Sequence, residues 1–213
     1  MREHDAEPVW GLPERPPTGE QVLWQGAPDW RSLARRAFHL RKMAFYFGAL
    51  WTWSVVASLP FTWDSALAAG RNLGLALVAL GLVALYAWLT ARTTAYTLTD
   101  QRLVIRFGIA LPVTINLPFR LVDGAAVRAT ADGTGDLTLS LRPTQKIAYL
   151  LLWPHARPWR VARSEPSLRA IPDAARVAQL LSRALAASAA QPAVPIAATV
   201  DPATVGSHAA AAA

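Results

Sequence analysis

Two long stretches without a charged residue constrain the fold of this chain more than any other feature. They cover residues 43–63 and 72–91. A helix needs about 20 apolar residues to cross the hydrocarbon core of a bilayer, because each residue advances the helix by about 1.5 Å. The second stretch is apolar on every side, which does not suit a helix facing water. We therefore predict two spanning helices joined by a loop at 64–71, rather than two buried helices of a soluble protein.

Basic residues flank these stretches unevenly. Five of them precede the first stretch with no acid among them: Arg31, Arg35, Arg36, Arg41 and Lys42. The loop contains only Asp64 and Arg71 as charged residues, and Arg92 follows the second stretch. Because basic flanks stay on the cytoplasmic side of a membrane, we predict that both termini are cytoplasmic and that the loop is periplasmic.

The segment 31–42 has two interpretations. Its apolar residues can share one face with the basic residues opposite, which predicts an amphipathic helix that rests on anionic lipid through its five basic side chains. The other interpretation is a plain basic flank that sets the topology. We expect the flank role in either case, and the membrane surface is the predicted contact of these five residues.

Beyond Arg92 the apolar residues alternate, which is typical of β-strands. A hairpin is predicted around Asp100 and Gln101, followed by strands in "LPVTINLPF", "DGAAVRAT" and "DLTLSLR". The segment 146–153, "KIAYLLLW", is too short to span a bilayer and ends before a proline, so we predict a buried strand there. A turn at "PHAR" and a returning edge strand at "PWRVAR" would follow it.

The two ends of the chain are predicted from composition and periodicity. Near the C-terminus, "DAARVAQLLSRALAAS" forms an apolar stripe at helical spacing, and residues 189–213 are mostly Ala, Pro and Thr, which predicts a disordered tail. Residues 1–30 are rich in Pro and Trp. Within them, "EQVLWQG" is predicted to add a strand to the β domain, and residues 7–17 are predicted to be an arm for a partner.

The residue inventory argues against catalysis and metal binding. There is no cysteine, so disulfides, thiolate metal sites and thiol nucleophiles are excluded. The four histidines are scattered, and no nucleophile-elbow or phosphate-loop pattern occurs. We therefore predict a protein that is not an enzyme and has no cofactor. The net charge of +7 indicates anionic surroundings, but topology explains much of it and nucleic acid is not an expected partner.

Two groups of residues are candidate partner-binding sites. The first is an aromatic and basic surface, because Trp and Arg are enriched at binding hot spots: Trp153, His155, Arg157, Trp159 and Arg160. Its alternative is that both tryptophans cap the core and His155 is a satisfied turn residue. The second consists of Trp10 and Leu12, in a proline-rich leader that can equally be a linker. Small residues such as Gly74 and Gly81 favour close helix packing and a homodimer.

Strands followed by one amphipathic helix is the order of a pleckstrin-homology-like (PH-like) domain, a β-barrel or sandwich capped by its C-terminal helix, here residues 93–188. "YTLTDQRLVIRFG" resembles the first hairpin of membrane-anchored bacterial PH domains, where it follows a transmembrane hairpin. "EPVWGLPERPPTGEQVLWQGAPDWRSLARRAFHLRK" and "LLLWPHARPWRVARSEPSLRAIPDAARVAQLL" resemble the photosynthetic reaction-centre assembly proteins of purple phototrophic bacteria. This resemblance covers residues 7–186.

The resemblance implies a non-catalytic assembly factor in the photosynthetic inner membrane. Its partners would be subunits of the reaction centre and of the core light-harvesting antenna, besides membrane lipids. For such a protein His39, at a membrane end, is a candidate pigment ligand, against the simpler interpretation as an interfacial polar residue. The alternative function is a general membrane-anchored PH-like module associated with lipid or the cell envelope.

Overall fold

Three helices precede most of the β-structure. The structure is a computed structural model that describes residues 11–12, 14, 16–60, 62–130, 132–142, 147–157 and 164–190. The helices are α1 (Trp30–Arg36), α2 (Leu40–Ala57) and α3 (Trp63–Thr93). Asp29 caps α1 by accepting a hydrogen bond from the backbone N–H of Ser32 at 2.8 Å. α2 then packs along α3 as a helical hairpin.

The segment 31–42 is not one amphipathic helix. α1 ends at Arg36, and His39 has a left-handed backbone with φ 52° before α2 begins. Leu33 is fully buried against Ala91 of α3 and Ala170, so this short helix is fixed by packing within the protein. The prediction of a continuous helix lying on lipid was therefore wrong.

The predicted loop at 64–71 is helical. Thr62 and Ser65 form a reciprocal capping box, so α3 begins at Trp63 and continues through Arg71 without a break. Among the described residues, α3 is the one helix long and apolar enough to cross a membrane. α2 has 18 residues and includes Arg41 and Lys42 near its start. The predicted pair of spanning helices, 43–63 and 72–91, is thus not supported by length and composition.

The described residues form seven strands in two antiparallel sheets. The first sheet has the order β1 (Val22–Gly26), β2 (Ala95–Thr99), β3 (Arg102–Phe107) and β4 (Val113–Pro118). The second has the order β5 (Val122–Ala129), β6 (Thr134–Leu141) and β7 (Ser167–Pro172). The described strands form these two separate sheets and not a closed barrel, so the sandwich part of the fold prediction is the part that fits.

Most of the predicted strands are present. The hairpin around Asp100 is confirmed by the pairing of Leu98 with Leu103, and "EQVLWQG" supplies β1, which pairs with β2. The strand predicted at 146–153 is wrong, because residues 149–152 form a short helix, α4 (Tyr149–Leu152). β7 was not predicted. The predicted return strand at 158–163 lies outside the described residues.

The core lies between the two sheets and the C-terminal helix α5 (Ala174–Ala190). β6 contributes the fully buried Leu139, and α5 contributes Val177 and Leu181 from its apolar stripe. Burying a leucine or valine side chain of this kind contributes about 1.5–3 kcal/mol. The helix predicted from the C-terminal stripe is therefore confirmed as the cap of the β domain.

Candidate functional site

A buried polar cluster is centred on His155, which follows α4. The side chain is fully buried. Its Nδ1 lies 2.8 Å from the hydroxyl oxygen of Tyr96 on β2, and its Nε2 lies 3.2 Å from Oγ1 of Thr94. The ring also packs against Phe107 of β3 at a centroid distance of 4.9 Å. The cluster therefore connects the segment after α4 to the first sheet and to the end of α3.

The hydrogen bonds of this cluster form one directed chain. The backbone N–H of Arg169 on β7 donates to the Tyr96 hydroxyl oxygen at 3.1 Å, and Thr94 Oγ1 donates to the Thr90 carbonyl oxygen at 2.7 Å. If Tyr96 donates its proton to Nδ1 and Nε2–H donates to Thr94, every hydrogen has an acceptor. This network assigns a neutral His155 protonated on Nε2.

Burial keeps both titratable members of the cluster neutral. Desolvation, together with the positive charge of Arg169, lowers the pKa of His155 to about 3. Desolvation also raises the pKa of Tyr96. A general acid or base needs a pKa near the working pH, so this histidine is not suited to proton transfer at neutral pH. The cluster is a buried hydrogen-bond network that links the segment after α4 to the end of α3, to β2 and to β7.

Arg169 supports the cluster from the second sheet. Its side chain is buried, with Nη1 donating to the Ala156 carbonyl oxygen at 3.2 Å and Nε lying 3.6 Å from Oδ2 of Asp136. Asp136 in turn accepts from the backbone N–H of Ala170 at 2.8 Å. A buried guanidinium requires such a partner, because an unpaired charge in the interior is costly.

The predicted aromatic and basic surface is divided by the fold. His155 was proposed as an exposed contact, and this is wrong because its ring fills the core beside Tyr96. Trp153 is 45% exposed and packs on Tyr86 and Phe38. Arg157 is held by Glu165 through a 2.8 Å ion pair. Trp159 and Arg160 lie outside the described residues.

The N-terminal candidates do not form a described arm. Leu12 is 4% exposed, so its interpretation as an anchor offered to a partner is wrong. Trp10 lies outside the described residues. Glu20, closer to β1, forms a bidentate ion pair with Arg102 at 2.7 Å for each contact. Burial alone would raise the pKa of Glu20, but the hydrogen bonds from Arg102 and Thr99 outweigh it and the pKa is lowered.

The basic flank contacts both protein and solvent. Arg35 lies 3.4 Å from Asp132, and Arg36 donates to the hydroxyls of Thr130 and Thr134, all in or beside the turn between β5 and β6. Hydrogen bonds, first from Thr134, lower the pKa of Asp132 to about 2. These two arginines therefore contact the turn at the edge of the second sheet, beside the packing of Leu33 that fixes α1.

The other three predicted membrane-surface residues, Arg31, Arg41 and Lys42, are exposed. His39 is also exposed, at the start of α2, and its role as a pigment ligand stays a prediction. Gly74 and Gly81 lie on α3, where an added Cβ would meet no atom within 4 Å. The predicted homodimer contact at these glycines stays a prediction.

The outer side of the second sheet carries a concave surface. A cavity there is lined by side chains of all three strands and by Arg157: Ala126, Val127, Arg128, Asp136, Thr138, Arg157, Ser167 and Arg169. Beside it, β5 exposes six of its eight residues and has β6 on one side with no other strand beside it among those described. In the part of the chain that the structure describes, no cluster of His, Asp and Glu could hold a metal ion.

Comparison with known proteins connects this architecture to a family. The family model for the bacterial PH domain matches residues 47–185. A protein of Rhodobacter capsulatus, described as an uncharacterized 23.7 kDa protein in the puhA 5' region, is 37% identical over 206 residues. The match covers 91% of this chain and 94% of that protein. No solved structure matches the chain.

Proposed function

We propose that this chain, which belongs to the bacterial PH domain family, is a non-catalytic membrane-anchored assembly factor for the photosynthetic reaction centre and its core light-harvesting antenna. The observation that carries this proposal is the relative from the puhA 5' region, because its similarity extends over 91% of the chain. The resemblance of residues 7–186 to reaction-centre assembly proteins supports the same function.

Strand pairing supports an anchor that enters and leaves the membrane on one side. β1 precedes α2 and β2 follows α3, yet the two strands pair with Gly26 opposite Tyr96. Both ends of the helical hairpin therefore lie on the same side of any bilayer. If α3 crosses, the chain must also cross between β1 and α3, and α2 is the helix available for this. Its short length requires the bilayer to thin or its ends to adapt.

Exposed charges support the orientation of this anchor. Arg31, Arg41 and Lys42 are exposed near the start of α2, and Arg92 lies in the last turn of α3. The far end carries Asp64 and an otherwise nearly uncharged sequence. By the positive-inside rule, we propose that the PH-like domain and both termini lie at the cytoplasmic face of the inner membrane.

The open side of β5 is the proposed contact for the assembly partner. An edge strand presents unpaired backbone groups that can pair with an extended segment of another protein. Arg128 of β5 adds a positive charge to this side, beside the cavity. We propose that an extended segment of a reaction-centre or antenna subunit pairs with β5, since the subunits of both complexes would lie in the same inner membrane as this chain.

A general lipid- or envelope-associated module is the second candidate function. The observation that favours it is the set of exposed basic residues at the proposed membrane face, because anionic lipid attracts such residues in any bacterial membrane. The two functions differ in when the protein is needed. An assembly factor is required for photosynthetic growth, whereas a general module affects the envelope under all conditions.

Deletion of the coding sequence tests the proposal. We expect the deletion strain to lose phototrophic growth and the near-infrared absorption of the reaction centre and core antenna, with respiratory growth unchanged. Complementation should succeed with the wild-type chain and with Arg183→Glu, a charge reversal on the exposed side of α5. Arg128→Glu, at the exposed edge strand, should restore absorption poorly. Normal pigment complexes in the deletion strain would refute the assembly function.

A further inference from the structure

The helix α4 directs apolar side chains away from the protein. Leu150 is 87% exposed and Leu151 is 49% exposed, while Leu152 enters the core. Trp153, directly after the helix, is 45% exposed. Three exposed large apolar side chains within four residues form an exposed hydrophobic patch, and such patches are typical of interaction sites.

The position of this patch follows from its contact with α3. The rings of Trp153 and Tyr86 stack with centroids 6.1 Å apart, and Phe38 packs edge-on against both. Tyr86 lies seven residues before the end of α3 at Thr93, which is about 10 Å along the helix axis. Trp153 therefore lies beside the last turns of α3, where the helix meets the domain.

This level coincides with the expected bilayer surface. Arg92 ends the uncharged part of α3, and its guanidinium lies 4.8 Å from the ring centroid of Trp88. Tyr and Trp side chains concentrate at the boundary between headgroups and acyl chains, and arginine extends to the headgroups. Tyr86, Trp88 and Trp153 form such an aromatic belt. α4 is attached to this belt and lies at the same depth.

The turn between β3 and β4 reaches the same end of the molecule. β3 runs antiparallel to β2, so it returns toward the end of α3, with Arg106 opposite Ala95, the first residue of β2. Beyond Phe107 the turn exposes Leu111 at 80% and Ile109 at 38%. Two elements distant in sequence, α4 and the turn between β3 and β4, therefore present exposed apolar side chains on the side of the domain that lies next to the C-terminal end of α3.

We infer that these side chains insert into the lipid leaflet that surrounds the C-terminal end of α3. The apolar rim consists of Ile109, Leu111, Leu150, Leu151 and Trp153. Lipid is the occupant because the α4 part of the rim is continuous, through the Trp153–Tyr86 contact, with a helix whose own leucines face outward. Insertion of the apolar rim would fix the orientation of the PH-like domain on the membrane. The inference rests on the membrane anchoring in the proposed function.

Spin labelling of the full chain in lipid nanodiscs tests this inference. The chain contains no cysteine, so one substitution introduces one nitroxide. The labelled positions are Leu150→Cys on the rim, Leu77→Cys on the outward face of α3 and Leu23→Cys on β1. Leu23 is a matched leucine, 40% exposed, beside the β1 residues that pair with Leu98 and Thr99 at the far end of β2. Collision with oxygen, which enters lipid, is compared with collision with a water-soluble nickel chelate.

The three labels separate this inference from the anchoring itself. We expect oxygen collisions to dominate at Leu77 and Leu150 and nickel collisions to dominate at Leu23, so the logarithm of the ratio changes sign between Leu150 and Leu23. Nickel access at Leu77 would refute the anchoring. Oxygen dominance at Leu77 with nickel dominance at Leu150 would overturn the rim alone. A label at Leu111→Cys provides an independent second reading, and nickel dominance there would limit the rim to α4.

Discussion

The helical hairpin and the two-sheet domain distribute their side chains in opposite ways. On the hairpin, large apolar side chains such as Phe45 and Trp53 are each 73% exposed. In the domain, the polar side chains of His155 and Thr94 are fully buried. A helix pair that exposes this much apolar surface matches lipid, whereas a domain that buries polar groups must satisfy each of them internally. The two regions are built for different surroundings.

The segment 149–157 combines both patterns within a few residues. Leu150 points away from the protein, and His155 five positions later lies wholly inside it. The change occurs at the junction where the domain meets α3, since Trp153 contacts the helix and His155 contacts Thr94 just beyond the helix end. Because this junction joins an exposed apolar segment to a buried polar cluster, substitutions on its two sides should have different effects.

The largest expected effect contrasts two leucines. Leu139→Ala should lower the free energy of unfolding by about 2–5 kcal/mol, because it opens a cavity in the core of the β domain. Leu77→Ala on the outward face of α3 should change it by less than about 1 kcal/mol, since this side chain is 60% exposed and packs little against the protein. Urea unfolding in mild detergent, followed by circular dichroism in the β region, measures both. Equal losses would contradict the contrast between the regions.

The next effect concerns the polar side of the junction. His155→Phe keeps most of the ring volume but leaves the buried Tyr96 hydroxyl without an acceptor for its proton, which should cost about 1–3 kcal/mol, while Thr94 keeps its hydrogen bond to the Thr90 carbonyl oxygen. Leu150→Ala, five residues away and 87% exposed, is the matched control and should leave the unfolding midpoint in detergent unchanged. A midpoint for His155→Phe equal to that of the wild type would show that the hydrogen-bonded chain does not stabilise the fold.

The pH dependence sharpens the same point. Burial lowers the pKa of His155 from 6.5 to about 3. Between these two pH values the unfolded chain therefore binds a proton at His155 and the folded chain does not. The stability contribution is complete above pH 6.5 and is lost as the pH falls toward 3. At pH 5.5 the loss should be about 1 kcal/mol. The difference between wild type and His155→Phe, measured from pH 7.5 to 5.5, should shrink by this amount; a constant difference would contradict a neutral buried histidine.

The smallest effect is expected at the polar contact between α1 and the second sheet. Arg35 and Asp132 are both substantially exposed and lie 3.4 Å apart. Exposed ion pairs of this kind contribute little, because water and salt screen them. Arg35→Ala should therefore leave the unfolding midpoint within experimental error. A clear loss would mean that attachment of α1 depends on this pair rather than on the burial of Leu33.

The sequence predicted the elements whose patterns are local. The alternation of Leu137 and Leu139 identified β6, and the apolar stripe around Val177 and Leu181 identified α5, because one face of each is buried and the other is exposed. β7 lacks such a pattern, since five of its six residues are buried. β7 also contains Arg169, a charged residue that does not suit a buried strand on its own. Its charge is balanced by Asp136, which is distant in sequence.

Other errors arose where short patterns have two solutions. Four apolar residues at 149–152 are compatible with a strand or a helical turn, and periodicity cannot distinguish them. The charges of Asp64 and Arg71 suggested a loop, although the Thr62 and Ser65 capping pattern in the sequence could have indicated a helix start. The His155 cluster depends on contacts with β2 and α3, about 60 residues earlier, so no local signal could predict it.

Affinity purification from photosynthetic membranes tests the central claim most directly. The tagged full-length chain is extracted in mild detergent from phototrophically induced cells, and copurified proteins are identified by mass spectrometry beside an unrelated tagged membrane protein. We expect enrichment of reaction-centre or core antenna subunits with the wild-type chain and reduced enrichment with Arg128→Glu. Recovery of the intact protein with no such subunit above the control would contradict the assembly function.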